Sequence, residues 1–314
     1  MAARMVGEYR AFSSSANLGS GFDAVAVALD AFYDQVRISL QEGRREVVVE
    51  SVEGPEAEGV DARENTAVYA GMSLLEGEGL NYSVRVRVWK GIPLSAGLGG
   101  SGATAAAVVA GINDLLGLKL SPEALVYYAG EGERASAGSP HYDNVAASLL
   151  GGLAIVSRTR RGLKVLTLPV KASFVLGIPV ERGVASRKTE AMRRLLPKSV
   201  PFEDFATEKG LLALLVGGLA TGDLEAAGLG MDDLVVTGAR SPHVPCFREL
   251  REEAYVAGAL GLAISGAGPT VIALTRGEEE QHSIVEAFKR AYSQCGVRAV
   301  TRVARTASGV ARVP

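Results

Sequence analysis

The sequence predicts an α+β protein built in two halves, and three observations carry that expectation. The stretch Tyr82–Leu116 joins a strand in which Val84, Val86 and Val88 alternate with charged residues to an Ala-rich segment of helical length from Ser101 onward. Strands and helices alternate along the later chain without the strict βαβ regularity of a doubly wound sheet. Near Pro169 the pattern closes, and an apolar strand at Ser173–Pro179 begins again, so the expected units are 1–169 and 170–314.

The elements follow in order. Tyr9–Phe12 reads as a short first strand, leading into a turn made by Asn17, Gly19 and Gly21 with Asp23 just beyond it. Local chemistry alone makes this an Asx-type turn capped by Asn17. Gln35–Leu40 and Glu46–Ser51 read as strands joined into a hairpin through Glu42-Gly43-Arg44. An acidic loop, Glu53–Arg63, follows. Asn65 then stands where an N-cap belongs, ahead of an apolar helix at Ala67–Leu75. Ser121-Pro122-Glu123 opens another helix within Lys119–Glu133, and Leu153–Arg158 with Leu163–Leu168 forms a hairpin. Beyond Pro169, helical patterns occupy Thr189–Leu196, Glu203–Ala220, Phe247–Leu260 and Glu278–Cys295. Strand patterns occupy Leu262–Ser265, Thr270–Leu274 and Arg298–Val303.

Composition removes several classes of function. With 314 residues, 47% hydrophobic and 22% charged, the chain is that of a globular protein with room for substantial cores. A net charge of −2 with dispersed Arg and Lys offers no basic face for nucleic acid or an anionic membrane. No run reaches the ~20 apolar residues needed to span a bilayer, and Met1–Phe12 lacks a signal-peptide core, so the expected location is cytoplasmic. Cys246 and Cys295 have no metal-type spacing and are expected to be buried or idle thiols in a reducing compartment.

The chemistry concentrates at Gly97, Gly99, Gly100 and Gly102, between the alternating strand and the Ala-rich helix. Glycines there leave backbone N–H groups uncovered at a helix N-terminus, which is an anion site. Gly97-x-Gly99-x-x-Gly102 formally fits the dinucleotide fingerprint of an NAD-dependent oxidoreductase. That reading wants a fully buried strand running straight into the first glycine and an acid about twenty residues on, at the end of a second strand. Here the strand alternates, Pro93 intervenes, and a helix follows. A Walker loop fails for want of the Lys-Ser or Lys-Thr pair. A turn that only packs helix on sheet is the plain structural alternative.

Pro93 to Ala103 reads PLSAGLGGSGA and resembles the second signature of the galacto-, homoserine, mevalonate and phosphomevalonate (GHMP) kinase superfamily. It departs at Gly100 and Gly102, where the family has Ser and Ala. Ser13 to Asp23, SSSANLGSGFD, resembles the first signature of the homoserine kinase branch, with Ser20 in place of a common Pro. His141-Tyr142-Asp143-Asn144 resembles that branch's His-Pro-Asp-Asn, and Ser265 to Thr270, SGAGPT, resembles the third superfamily signature. The resemblance covers most of the chain in the right order. It implies an N-terminal ribosomal-S5-like α/β domain, a ferredoxin-like C-terminal α+β domain, and transfer of the ATP γ-phosphoryl group to the hydroxyl of homoserine. A sister kinase acting on mevalonate or shikimate is the nearest alternative.

By the same resemblance, Pro93, Gly97, Leu98, Gly99, Gly100, Ser101 and Gly102 hold the ATP phosphates, Asn65 caps its helix and reads adenine, and Lys90 adds a phosphate contact. Ser101 and Glu133 are the implied ligands of Mg2+. Asn17, Asp23, His141 and Asn144 are placed on the amino and hydroxyl ends of homoserine, and Thr189, Arg193 and Arg240 on its carboxylate. Asn17, Glu133, Asn144 and Arg193 are the implied catalytic set, while Asp143 is expected to be structural, the hydroxyl losing its proton late. Arg suits a carboxylate because its planar fork binds both oxygens. Arg194 is expected to point elsewhere. The partners implied are ATP and homoserine, with neither nucleic acid nor membrane, and a homodimer is compatible with the family.

Overall fold

The computed structural model describes residues 4–138, 140–180 and 188–314. Its strands are β1 (Met5–Asn17), β2 (Gly21–Glu42), β3 (Glu46–Glu53), β4 (Tyr82–Trp89), β5 (Leu153–Thr159), β6 (Gly162–Leu168), β7 (Ser173–Pro179), β8 (Gly261–Ile264), β9 (Val271–Thr275), β10 (Ala299–Arg305) and β11 (Ala311–Val313). Its helices are α1 (Thr66–Gly77), α2 (Gly100–Leu116), α3 (Pro122–Ala137), α4 (Tyr142–Leu150), α5 (Lys188–Arg194), α6 (Phe202–Thr221), α7 (Leu224–Gly230), α8 (Val236–Arg240), α9 (Phe247–Val256) and α10 (Glu278–Gln294).

The first sheet runs β11-β1-β2-β4-β3, with β5 on the early part of β2 and β6 on β5. β2 serves both parts because the pairing with β1 shifts register between Phe12 and Ser13, where Phe12 faces Tyr33 but Ser13 faces Leu29. That irregularity bends the strand. The predicted alternation holds in β4, where Val84, Val86 and Val88 are buried and Arg85 and Arg87 face solvent. Above the buried face lies α2, whose Ala103, Ala105, Ala106 and Ala107 are fully buried and let its backbone approach the sheet closely.

One expected pairing is corrected. The segments Gln35–Leu40 and Glu46–Ser51 are strands but not a hairpin: β4 lies between them, antiparallel to β2 and parallel to β3. Gly43 marks a chain reversal, and a reversal does not dictate which strand becomes the neighbour. β4, with its own two-residue period, takes the place beside β2.

The second sheet, β10-β7-β9-β8, is antiparallel. α9 and α10 cover it, burying Phe247, Leu250, Ile284, Phe288 and Tyr292 against Val175, Val271 and Ala273. The chain then returns to the first sheet, since β11 pairs with β1. Among the described residues no helix is long and apolar enough to cross a membrane.

The cysteines are corrected as well. Cys246 and Cys295 form a disulfide with Cα atoms 6.1 Å apart, joining the residue before α9 to the residue after α10. Spacing in sequence could not reveal this, because the antiparallel packing of α9 and α10 makes the two residues neighbours.

Candidate active site

The glycine turn is built from backbone. Gly97 and Gly99 have φ of +78° and +69°, in the left-handed region where side chains are strained. Space requires them too: a Cβ on Gly97 would lie 2.3 Å from the Ser265 carbonyl oxygen, and one on Gly99 2.2 Å from Ser14 Oγ. Gly102 is less constrained, with 3.4 Å to its nearest neighbour, so the alanine of the family would fit there. Three neighbours fix the turn: the Ser14 N–H donates to the Leu98 carbonyl at 3.0 Å, Ser265 Oγ to that of Gly97 at 2.7 Å, and the Thr270 N–H to that of Ala96 at 3.3 Å. Leu98 is buried, and Pro93 is half-buried in the connector. α2 starts at Gly100 with no side-chain cap, which leaves the first-turn N–H groups of Gly100, Ser101 and Gly102 facing outward.

Lys90 is corrected at this point. Its ammonium is buried in an ion pair with Asp34 and also donates to the Gly100 carbonyl and Thr104 Oγ1, each at 3.1 Å. Asp34 Oδ1 in turn accepts the N–H groups of Gly91 and Ile92 at 3.0 and 3.1 Å. The lysine therefore anchors the start of α2 from the core side, and its charge is spent there instead of on a nucleotide. Asn65 caps α1, its side chain accepting the Ala67 N–H at 3.0 Å.

At the other end of the site, side chains do the holding. Asn17 sits in the left-handed region, φ 74°, where its Oδ1 accepts the Asp23 N–H at 3.1 Å and its Nδ2 donates to the Gly266 carbonyl at 3.0 Å. Arg240, 3% exposed, donates to that same carbonyl at 3.0 Å and to the Met192 carbonyl at 3.4 Å. Burial, and after it the charge of Arg193, hold the Arg240 guanidinium below its ordinary value. Arg193 grips Asp23 with two bonds of 2.8 Å. Both guanidiniums lie over the ring of Phe22, 5.4 Å from its centroid for Arg193 and 5.2 Å for Arg240. Thr189 lies one turn before Arg193 on α5, while Arg194 pairs with Glu190, pointing elsewhere as expected.

Between these ends lie α3 and α4. Glu133 is buried near the end of α3, with one carboxylate oxygen 3.4 Å from His141 Nδ1. Burial alone would lower the His141 pKa, but the bond to Glu133 and its charge outweigh it and the net shift is upward. Asp143, in the first turn of α4, is pushed up to about 6, chiefly by burial and further by the charges of Asp23 and Glu133. Its Oδ1 accepts the Asn144 N–H at 2.9 Å. The Asn144 side chain lies against the glycine turn, its Oδ1 accepting from Ser14 Oγ at 2.9 Å.

The structure thus brings Asn17, Asp23, Arg193 and Arg240 into one cluster, and Asn144 onto the glycine turn. Sequence reading missed Phe22 as the shared platform of the two arginines, although it stands beside Asp23. It also missed the Gly266 carbonyl as the acceptor joining Asn17 to Arg240. A carbonyl carries no residue-type signal, so only the fold could supply it.

Residues 65–152 match the model of the GHMP kinases N terminal domain, and residues 215–294 that of the GHMP kinases C terminal domain. A homoserine kinase of Aeropyrum pernix is 45% identical over 91% of this chain and 92% of its own, and one of Pyrobaculum neutrophilum 41% identical over 96% and 98%. The crystal structure of a homoserine kinase from Cytophaga hutchinsonii superposes with a TM-score of 0.88 at 31% identity, covering 98% of this chain and 97% of that one. L. major mevalonate kinase, at 17% identity and a TM-score of 0.65, shares the fold.

Proposed function

We propose a reading of this site from one premise: the chain belongs to the GHMP kinase family, within which its similarity over nearly the whole length is to homoserine kinases. Its function is transfer of the γ-phosphoryl group of ATP to the hydroxyl of L-homoserine, giving O-phospho-L-homoserine for threonine biosynthesis. The observation that carries the acceptor is the cluster of one carboxylate, Asp23, and two guanidiniums, Arg193 and Arg240, at one end of the site. A free amino acid presents one charge of each sign and needs such a two-ended pocket. Mevalonate or shikimate would leave the carboxylate without an ammonium to meet.

In this reading the N–H groups at the start of α2 and the turn Gly97–Gly102 cradle the ATP phosphates. Asp23, with Asn17 fixing its turn, takes the ammonium of homoserine; Arg193, Arg240 and Thr189 take the carboxylate. His141 and Asn144 lie toward the hydroxyl. Phosphoryl transfer asks mainly for alignment and for positive field around the moving group. Asp143, committed to the Asn144 N–H, is a positioning group, and the hydroxyl proton leaves late.

Mg2+ fits the residues present. It takes oxygen ligands and keeps several waters, and Glu133 supplies a buried carboxylate. Asp143 is pushed up chiefly by its own burial and in smaller part by the charges of Asp23 and Glu133, and a cation would offset that smaller part. Ser101, exposed in the first turn of α2, supplies a hydroxyl. When bound, the ion would neutralise phosphate charge. The chain divides near Pro169 into its two units, and the last strand crosses back to pair with β1 of the first sheet.

The test is a 31P NMR assay with ATP, Mg2+ and, in parallel, homoserine, mevalonate and shikimate. A phosphomonoester formed with homoserine alone is expected. Turnover of another alcohol with none of homoserine would overturn the acceptor, and a rise in melting temperature with NAD but not ATP would overturn the reaction class.

A further inference from the structure

Three successive serines, Ser13, Ser14 and Ser15, lie fully buried on β1. Period two turns the middle one to the opposite face of the strand from its neighbours. Ser13 Oγ donates to the Leu29 carbonyl within the sheet. Ser14 instead faces the helices, and besides the Asn144 carbonyl at 3.3 Å three groups converge on its hydroxyl. Its Oγ is 2.9 Å from Asn144 Oδ1, Ser148 Oγ donates to it at 3.3 Å, and the backbone of Gly99 passes so close that a Cβ there would lie 2.2 Å away. Asn144 and Ser148 are four residues apart on α4, so one helix face presents both to the strand.

We infer that Ser14 is a positioning residue that sets the Asn144 amide, with Ser148 holding the Ser14 hydroxyl in turn. The reasoning is a count of protons. A serine hydroxyl has one hydrogen to give. With Ser148 donating to Ser14, the hydrogen of Ser14 goes to the nearer of its two acceptors, Asn144 Oδ1 at 2.9 Å over the Asn144 carbonyl at 3.3 Å, and the amide then turns its NH2 away from the strand. Among the described residues that nitrogen donates to no protein acceptor, and the side chain that carries it lies against the glycine turn, its Oδ1 2.9 Å from a Cβ placed on Gly99 and its own Cβ 3.5 Å from one placed on Gly102. The Ser148–Ser14–Asn144 chain therefore converts an amide that could face either way into a fixed donor beside the place where the moving phosphoryl group would sit. This inference rests on the phosphoryl-transfer reading above. It also gives Gly99 a second reason to lack a side chain, since any Cβ there would displace the hydroxyl that aims the amide.

The test is a double-mutant cycle on the full chain, reading kcat and both KM values. Ser14→Ala is expected to lower kcat about tenfold with the KM values for ATP and homoserine within about twofold, the size of one hydrogen bond felt mainly in the transition state. Ser148→Ala should act in the same direction and more weakly. In an Asn144→Ala background neither substitution should lower kcat further, because there is no amide left to aim. Asn144→Asp, which keeps the acceptor for Ser14 and loses the donor, should be as slow as Asn144→Ala. Multiplicative losses in the double variants would mean that Ser14 acts through packing and would overturn the inference, as would an Asn144→Asp variant of wild-type rate. If Ser14→Ala does not fold, the Ser148→Ala cycle decides by the same criterion. A wild-type protein inactive on homoserine would instead sink the functional reading, which keeps the two failures apart.

Discussion

The two ends of the site are made differently. The end proposed for the nucleotide is backbone: Gly97 and Gly99 in left-handed conformations, the open first turn of α2, and carbonyls held by Ser14, Ser265 and Thr270. The end proposed for the amino acid is side chain: Asp23 and Arg193 from opposite halves of the chain, with Arg240 behind them on the ring of Phe22. A backbone cradle makes no demand on the base or sugar attached to its phosphates but admits no Cβ at Gly97 or Gly99. A side-chain clamp tolerates small backbone shifts but discriminates the charge pattern of what enters. Geometry and charge therefore fail separately, and substitutions at the two ends should have different kinetic signatures.

The largest effect should come from beneath the backbone end. Lys90→Met would leave the fully buried Asp34 without its counter-ion, and a stability loss on the order of 3–5 kcal/mol is expected in urea unfolding, partly recovered by adding Asp34→Asn. A Lys90→Met protein of wild-type stability but poor ATP affinity would return the lysine to the phosphates. Next, Gly99→Ala should cut turnover by roughly a hundredfold, because a displacement of about 1 Å in an aligning group costs that much, and the ATP KM should rise with it. A mild phenotype would mean the turn is softer than its contacts imply. At the other end, Arg240→Leu should raise the homoserine KM roughly ten- to a hundredfold, the worth of a lost charge-assisted bond, with the ATP KM little changed. An equal rise in both would erase the distinction between the ends.

Asp143→Asn sharpens the comparison most gently. As pH rises from the ordinary aspartate value of 3.8 through about 6, the folded wild type gives up a proton that the unfolded chain has already lost. The folded state binds the extra proton in that window, so wild-type stability falls as pH rises through it. The asparagine variant lacks that slope, and its unfolding free energy relative to wild type, read from urea unfolding, should be higher at pH 7 than at pH 4 by an amount on the order of 1–3 kcal/mol. A rate loss above about a thousandfold would instead mark Asp143 as a general base.

How much of this was legible beforehand follows from the same contrast. The glycine spacing announced the backbone end, because left-handed turns and close approach restrict residue type. The alternation of Val84, Val86 and Val88 announced β4 for the same kind of reason. The amino-acid end was legible only through family resemblance, since an isolated Arg or Asp looks like any surface charge. Lys90 was misread because a lysine just before a phosphate loop has the same spelling whether it faces the ligand or the core. Asp34, fifty-six residues away, decides between the two. The β3–β4 neighbourhood and the disulfide likewise depended on which distant segments meet.

The bidentate bond between Arg193 and Asp23 has one more consequence. Each of these groups is the other's counter-ion, so the pair holds a stand-in for its guest, while Arg240 beside it leaves one positive charge in surplus. On the proposed reading, entry of homoserine would be an exchange of partners, in which an ammonium replaces the guanidinium on Asp23 while a carboxylate replaces Asp23 on the guanidinium. A simple amine or a simple acid can complete only half of that swap and strands the other charge, which makes the resting ion pair a filter for molecules that carry both.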